Sequence, residues 1–139
     1  MISADKIIDK LRMLEEFLAI LREMRKTPPE VFLKDKILLG SAKYYMQVSI
    51  ECCLDISNHI IAAGRFRAPK DYADSFKVLE EQGIVDPKEG LKLRQMAKFR
   101  NRLVHLYGEI DDVYLYGLID KDLEDIQYFM KAITGRFLS

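Results

Sequence analysis

No tryptophan occurs in this chain, histidine occurs twice, proline four times, and cysteine only as the adjacent pair Cys52-Cys53. Each scarcity closes off a class of protein. Neighbouring cysteines in a helical stretch point about 100° apart and do not form an ordinary disulfide, so the pair fits a reducing compartment. With two histidines and no spaced cysteines there is no zinc-ligand spacing, and neither a structural metal nor a cofactor is expected. Apolar runs are short as well. None reaches the roughly 18 uncharged residues of a membrane span, and the start Met1-Ile2-Ser3-Ala4-Asp5-Lys6 lacks the charged-then-apolar order of a signal peptide. A cytoplasmic protein without membrane attachment is the expectation. The last absence is net charge: 22 Lys and Arg against 22 Asp and Glu leave no overall positive field, so nucleic acid must be held by a local patch.

What is present is apolar content. With 49% hydrophobic residues, the 139-residue chain suffices for one domain over 1–139 with one core. Ile7, Ile8, Leu11, Leu14, Leu18, Leu21 and Met24 recur at three- and four-residue steps, which predicts a first helix from Ala4 to Arg25. Thr27-Pro28-Pro29-Glu30 reads as a capping box with proline in the first turn. From Val31 to Ala63 there is no proline, and Gly40 is the one weak point. Apolar residues on nearly all sides through Val48-Ser49-Ile50-Glu51-Cys52-Cys53-Leu54 predict a central, buried helix.

Gly64-Arg65-Phe66-Arg67-Ala68-Pro69 is a basic loop, followed by a short helix from Tyr72 to Gln82 capped by Asp71 and ended by Gly83. Asp86-Pro87-Lys88-Glu89 joins an N-cap, a proline at the first helical position and a glutamate at the third, and starts a helix running to His105. Gly108 closes that helix or the turn after it. Asp111 or Asp112 then caps a last helix with an apolar stripe from Leu115 to Ile133, ended by Gly135. No alternating strand pattern or repeat occurs. The fold class is all-α, an up-and-down bundle of about five helices.

The helix before His105 carries Lys88, Lys92, Arg94, Lys98, Arg100 and Arg102. Arg94, Lys98 and Arg102 share one face, which either follows a phosphate backbone or is a solvated face paired with acidic residues. His105, between apolar neighbours, is either a hydrogen-bonded core residue or a catalyst. Five residues turn a helix by about 140° and rise about 7.5 Å, so Arg100 and His105 do not share a face of a straight helix. They meet only if the helix ends near His105 or a second copy of the chain contributes. Such a set suits RNA cleavage without metal: histidine exchanges a proton with the ribose 2′-hydroxyl or the leaving oxygen, and arginine holds the phosphate.

Phe99-Arg100-Asn101-Arg102-Leu103-Val104-His105-Leu106-Tyr107 resembles the R-x4-H-x-Y motif of the HepT family of HEPN-domain ribonuclease toxins. The likeness extends in order from about Val31 to Ile133. It includes Ile50-Glu51-Cys52-Cys53-Leu54-Asp55-Ile56-Ser57-Asn58-His59-Ile60-Ile61, Pro69-Lys70-Asp71-Tyr72-Ala73-Asp74-Ser75-Phe76 and the Leu79–Val85 turn. The resemblance implies a homodimer with the motifs of both chains at the interface, and an endoribonuclease toxin acting on tRNA or mRNA. It implies Arg100 and His105 as catalytic residues, with Asn101 as a hydrogen-bonding helper and Arg102 as a weaker phosphate contact. It also implies a partner, a minimal nucleotidyltransferase that acts as antitoxin by transferring AMP to Tyr107. The added charge and bulk would block an RNA phosphate. Without that role, Tyr107 is an amphipathic side chain at a helix end. Asn58 and His59 match the family too, but their central-helix position favours buried polar contacts, with His59 a reserve catalytic candidate. A different class stays open: a non-catalytic module whose Arg100 and His105 grip a nucleotide phosphate and regulate the nucleotidyltransferase.

Overall fold

The computed structural model describes residues 2–138. Six helices follow in order: α1 (Ala4–Arg25), α2 (Pro29–Phe32), α3 (Lys36–Ala63), α4 (Tyr72–Glu81), α5 (Pro87–His105) and α6 (Asp112–Phe137), with a 3₁₀ turn at Tyr107–Glu109. No strand occurs among the described residues. The fold is all-α, as the periodicity predicts. The central helix α3 packs against α1, α4, α5 and α6, and α6 also closes on α1 and α5.

Local chemistry places most boundaries. The Ser3 hydroxyl accepts from the Lys6 N–H, Asp71 from Asp74 N–H, Asp86 from Glu89 N–H, and Asp111 from the Val113 and Tyr114 N–H groups, each satisfying donors at the start of a helix. Asp111, rather than Asp112, is therefore the cap of α6. Two helices end in the same double hydrogen bond. After α4, Gly83 has φ 70°, and the N–H groups of Gly83 and Ile84 reach the carbonyls of Glu80 and Leu79.

Three expectations need correction. The stretch Val31–Ala63 is not one helix: it breaks after Phe32, and α3 begins only at Lys36, where Asp35 Oδ1 accepts from the Ile37 and Leu38 N–H groups at 3.0 Å each. The break lets Phe32 turn fully inward, edge-on to Tyr116 at 4.8 Å, while the Tyr116 hydroxyl donates to the Thr27 carbonyl. Thr27 does not cap α2, since Pro28 occupies the N-cap and no side chain bonds there. Finally, α6 runs through Gly135 to Phe137. Phe137 and Leu138 pack partly against the core, and that packing outweighs the weak helix propensity of glycine.

The core is continuous, with Phe32, Phe76 and Phe129 fully buried and Phe76 edge-on to Phe129 at 5.8 Å. Cys52 and Cys53 are free and buried, and burial pushes both thiols up from their ordinary range. No helix is long and apolar enough to cross a membrane among the described residues.

Candidate active site

The motif lies where α5 ends. His105 is its last helical residue, and Leu106 leaves the helix at φ −127°, ψ 35°, its N–H still reaching the Arg102 carbonyl at 2.7 Å. One 3₁₀ turn and the Asp111 cap then start α6. A helix end at His105 is thus one of the two conditions that would free the histidine from the geometry of a straight helix.

Arg100 points to α3. Its Nε and NH2 donate to Glu51 Oε2 at 2.9 and 2.6 Å, and its NH1 donates to Asn101 Oδ1 at 3.2 Å. Gln47 donates to the same Glu51 oxygen at 3.3 Å, and the guanidinium carbon lies 4.8 Å from the centre of the Tyr72 ring. A guanidinium carries five N–H donors, so three bonds leave two for another acceptor. Charge-assisted hydrogen bonds and the ring hold the group in one orientation.

His105 is exposed, and among the described residues no hydrogen bond or ion pair engages it. It lines an open groove of about 690 Å³ together with Asn101, the C-terminal half of α3, the loop 64–71 and the start of α4. That loop is fixed at both ends. At its start the N–H groups of Arg65 and Phe66 bond to the carbonyls of Ala62 and Ile61, with Arg65 at φ 56°. The Phe66 ring covers Gly64 so closely that a Cβ there would lie 2.7 Å from it. Further on, Arg67 is bonded to both Asp74 and Glu81, and Asp74 also accepts from the Lys70 N–H. The bonds from Arg67 and Lys70 hold the Asp74 carboxyl well below the usual carboxylate range. Within the groove, Ser75 donates to Asn58 Oδ1 at 2.7 Å.

The remaining candidates lie elsewhere. Tyr107 is half-exposed and lies against α3, its hydroxyl facing Gly40 and its ring 4.7 Å from Lys43 Nζ. Together with Arg100–Glu51, this contact shows α5 and the turn after it running antiparallel along α3. The Arg102 guanidinium stands about 6 Å from the rings of Phe99 and Tyr114, on the α6 side, and does not line the groove. Its stripe partner Arg94 pairs with Glu80, so this part of the basic face follows the paired reading. His59 accepts the Ser3 N–H through Nε2 at 2.9 Å, a contact that ties the start of α1 to α3.

The model of the ribonuclease HepT-like family matches residues 7–133. The chain belongs to that family. It is 29% identical over 104 residues to the mRNA nuclease HepT of Shewanella oneidensis, covering 75% of this chain and 78% of that one. A chain of Archaeoglobus fulgidus is 30% identical over 134 residues, covering 96% and 89% respectively. In three dimensions the chain resembles the Shewanella oneidensis HEPN toxin, solved tri-AMPylated in complex with its MNT antitoxin. The TM-score is 0.89 at 25% identity, over 96% of this chain and all of that one.

Within this HepT-like chain, motif reasoning singled out Arg100 but not its partners Glu51 and Tyr72. Glu51 left a signal: it is the one charged residue in the stretch Val48–Leu54, and a carboxylate on a largely buried helix needs a cation. Tyr72 and Ser75 lie in a stretch that resembles the family, but nothing local marks their contacts, which depend on how α4 crosses α3 and α5.

Proposed function

We propose that this chain is a metal-independent endoribonuclease toxin whose Arg100 and His105 act at a site shared by two copies of the chain. The observation that carries this reading is the contrast between the two side chains. Arg100 is locked by Glu51, Asn101 and Tyr72 with two donors to spare, while His105 faces the groove unpartnered. A held cation and a free imidazole match phosphate binding and proton transfer at a ribose 2′-hydroxyl. Because Arg100 bonds towards α3, a second protomer's arginine beside His105 completes the pair. Asn101 orients the guanidinium, and Arg102 is a peripheral phosphate contact.

The MNT-bound relative supports the rest of the reading: a minimal nucleotidyltransferase antitoxin transfers AMP to the half-exposed Tyr107 hydroxyl. The modification places negative charge two residues beyond His105, where it repels RNA. Lys43, over the Tyr107 ring and paired with Asp112 at 3.6 Å, would exchange that pairing for the first phosphate.

The test incubates the purified chain with tRNA and mRNA in EDTA, alongside Arg100→Ala, His105→Ala and a mixed dimer of the two variants. The shared site predicts strongly reduced cleavage by either variant alone and partial recovery in the mixture, where one site regains both residues. Equal cleavage by all samples would remove the mechanism. Growth arrest by the chain alone, lost in His105→Ala, separates a nuclease from a non-catalytic regulator of the nucleotidyltransferase.

A further inference from the structure

The groove beside His105 holds more than a phosphate needs. A phosphate asks for cations and N–H donors, yet much of this wall is apolar, formed by Ile61, Phe66 and Pro69. About 690 Å³ lies within the range of small-molecule sites, typically about 300–1,000 Å³.

Besides Lys70, Asp71 and His105, its polar lining includes two carboxamides whose oxygens are already engaged. Asn58 Oδ1 is taken by the Ser75 hydroxyl, and Asn101 Oδ1 by the Arg100 guanidinium, which has no acceptor to offer in exchange. Both carboxamides therefore keep their NH2 groups for a ligand in the same groove. Tyr72, with Arg100 near its ring, adds aromatic surface at the rim. A flat ligand with apolar faces and carbonyl acceptors on its edge fits this description.

We infer that the groove is a nucleobase subsite. It would hold the base of a nucleotide next to the cleaved bond, with Asn58 Nδ2 donating to a base carbonyl and Phe66 and Tyr72 flanking its faces. This inference rests on the nuclease reading and adds base selectivity to it. Single-stranded RNA is the substrate class, since only an unpaired base can leave its stack and enter. Uracil, with two edge carbonyls, suits two amide donors better than adenine, which has none.

The experiment uses the full chain and end-labelled RNA oligonucleotides containing one cleaved bond, with each flanking nucleotide in turn made uridine, cytidine, adenosine, guanosine or abasic. At one flanking position wild type should prefer uridine to adenosine by about tenfold in kcat/KM, and an abasic nucleotide there should cost at least as much. Asn58→Ala should flatten that preference to within about twofold, with melting temperature and dimer mass as folding controls. Asn58→Asp keeps an acceptor for Ser75 but replaces the NH2 donors by a carboxylate oxygen, and should reverse the preference towards bases with edge amines. Cleavage that ignores both the base and Asn58 overturns this inference alone, as does an Asn58→Ala defect equal for all bases. If wild type cuts no RNA at all, the nuclease reading fails and this inference falls with it.

Discussion

His59, near the end of α3, accepts the Ser3 N–H at 2.9 Å, whereas His105, at the end of α5, meets only the groove and solvent among the described residues. In the sequence both were open to either a packing or a catalytic role, His105 between apolar neighbours and His59 beside Asn58 in the central helix. The difference lies in what surrounds each backbone. His59 is half-buried where α3 meets the start of α1, and the N–H of Ser3, the residue that caps α1, pairs with it. His105 stands where the helix has just ended, so water can hydrate it and nothing obliges the fold to bind it. A histidine spent on the fold stabilises it, and a histidine left free is available for proton transfer.

The strongest test of this contrast exchanges the two losses. His105→Ala should lower RNA cleavage by a factor on the order of 10²–10⁴ and leave the melting temperature unchanged. His59→Ala should keep cleavage within about twofold and lower stability by about 1 kcal/mol, read by urea unfolding, because one hydrogen bond is lost at a helix start. A cleavage defect in His59→Ala as large as that in His105→Ala would erase the distinction.

The arginines give the next largest effect. Arg100→Ala should cost about 10²-fold in kcat, the scale for removing one charge-stabilising group. Glu51→Gln keeps the side chain's shape but removes the charge that holds the guanidinium, and about a tenfold loss in kcat is expected. Unchanged kcat in Glu51→Gln would mean that RNA positions the arginine by itself.

A third polar group sharpens the contrast because it is buried and poorly served. Asp122 on α6 is 4% exposed, and its Oδ2 has no hydrogen-bond partner. Burial raises its carboxyl pKa to about 7, helped by the neighbouring Asp125 and opposed by Lys121, while Gln95, Met96 and Phe99 facing it from α5 bring no charge. An acid whose folded pKa lies above its unfolded value keeps its proton longer in the folded state. The unfolded chain ionises first, so this group's contribution to stability falls as pH rises from about 4 to about 7, and stays low above that. Between pH 5 and pH 8, wild type should lose on the order of 2 kcal/mol relative to Asp122→Asn, measured by unfolding across that range. Parallel stability curves for the two proteins would contradict the shift.

The sequence carried the scaffold further than the site. Periodicity and caps placed the bounds of α1 and the starts of α4 and α5, because those signals are local: an aspartate or serine satisfies N–H groups two or three residues away. The break at Leu33–Asp35 was legible only in hindsight, since Asp35 reads equally as a solvated residue inside a helix and as a cap. The decisive pull is the burial of Phe32, a tertiary effect. The motif was legible as a string. Its neighbours were not, because Glu51 reaches Arg100 across 49 residues of chain and Asn58 meets Ser75 across 17. Such contacts are set by how helices cross, which no short window contains.

The smallest predicted effect compares the two matching helix ends. Gly83 takes the left-handed position after α4 without strain, while Arg65 takes the same position after α3 at φ 56°, where a side chain meets the backbone. The glycine of that turn is instead Gly64, whose missing Cβ makes room for Phe66 at the groove wall. Strain at residue 65 therefore accompanies the seating of the ring beside the groove. Arg65→Gly should relieve it and stabilise the chain by up to about 1 kcal/mol, less the entropy glycine adds to the unfolded state. Gly64→Ala should displace the Phe66 ring and lower stability. If Arg65→Gly also leaves cleavage unchanged, the strained turn serves only the ring's position, and the arginine itself takes no part in holding RNA.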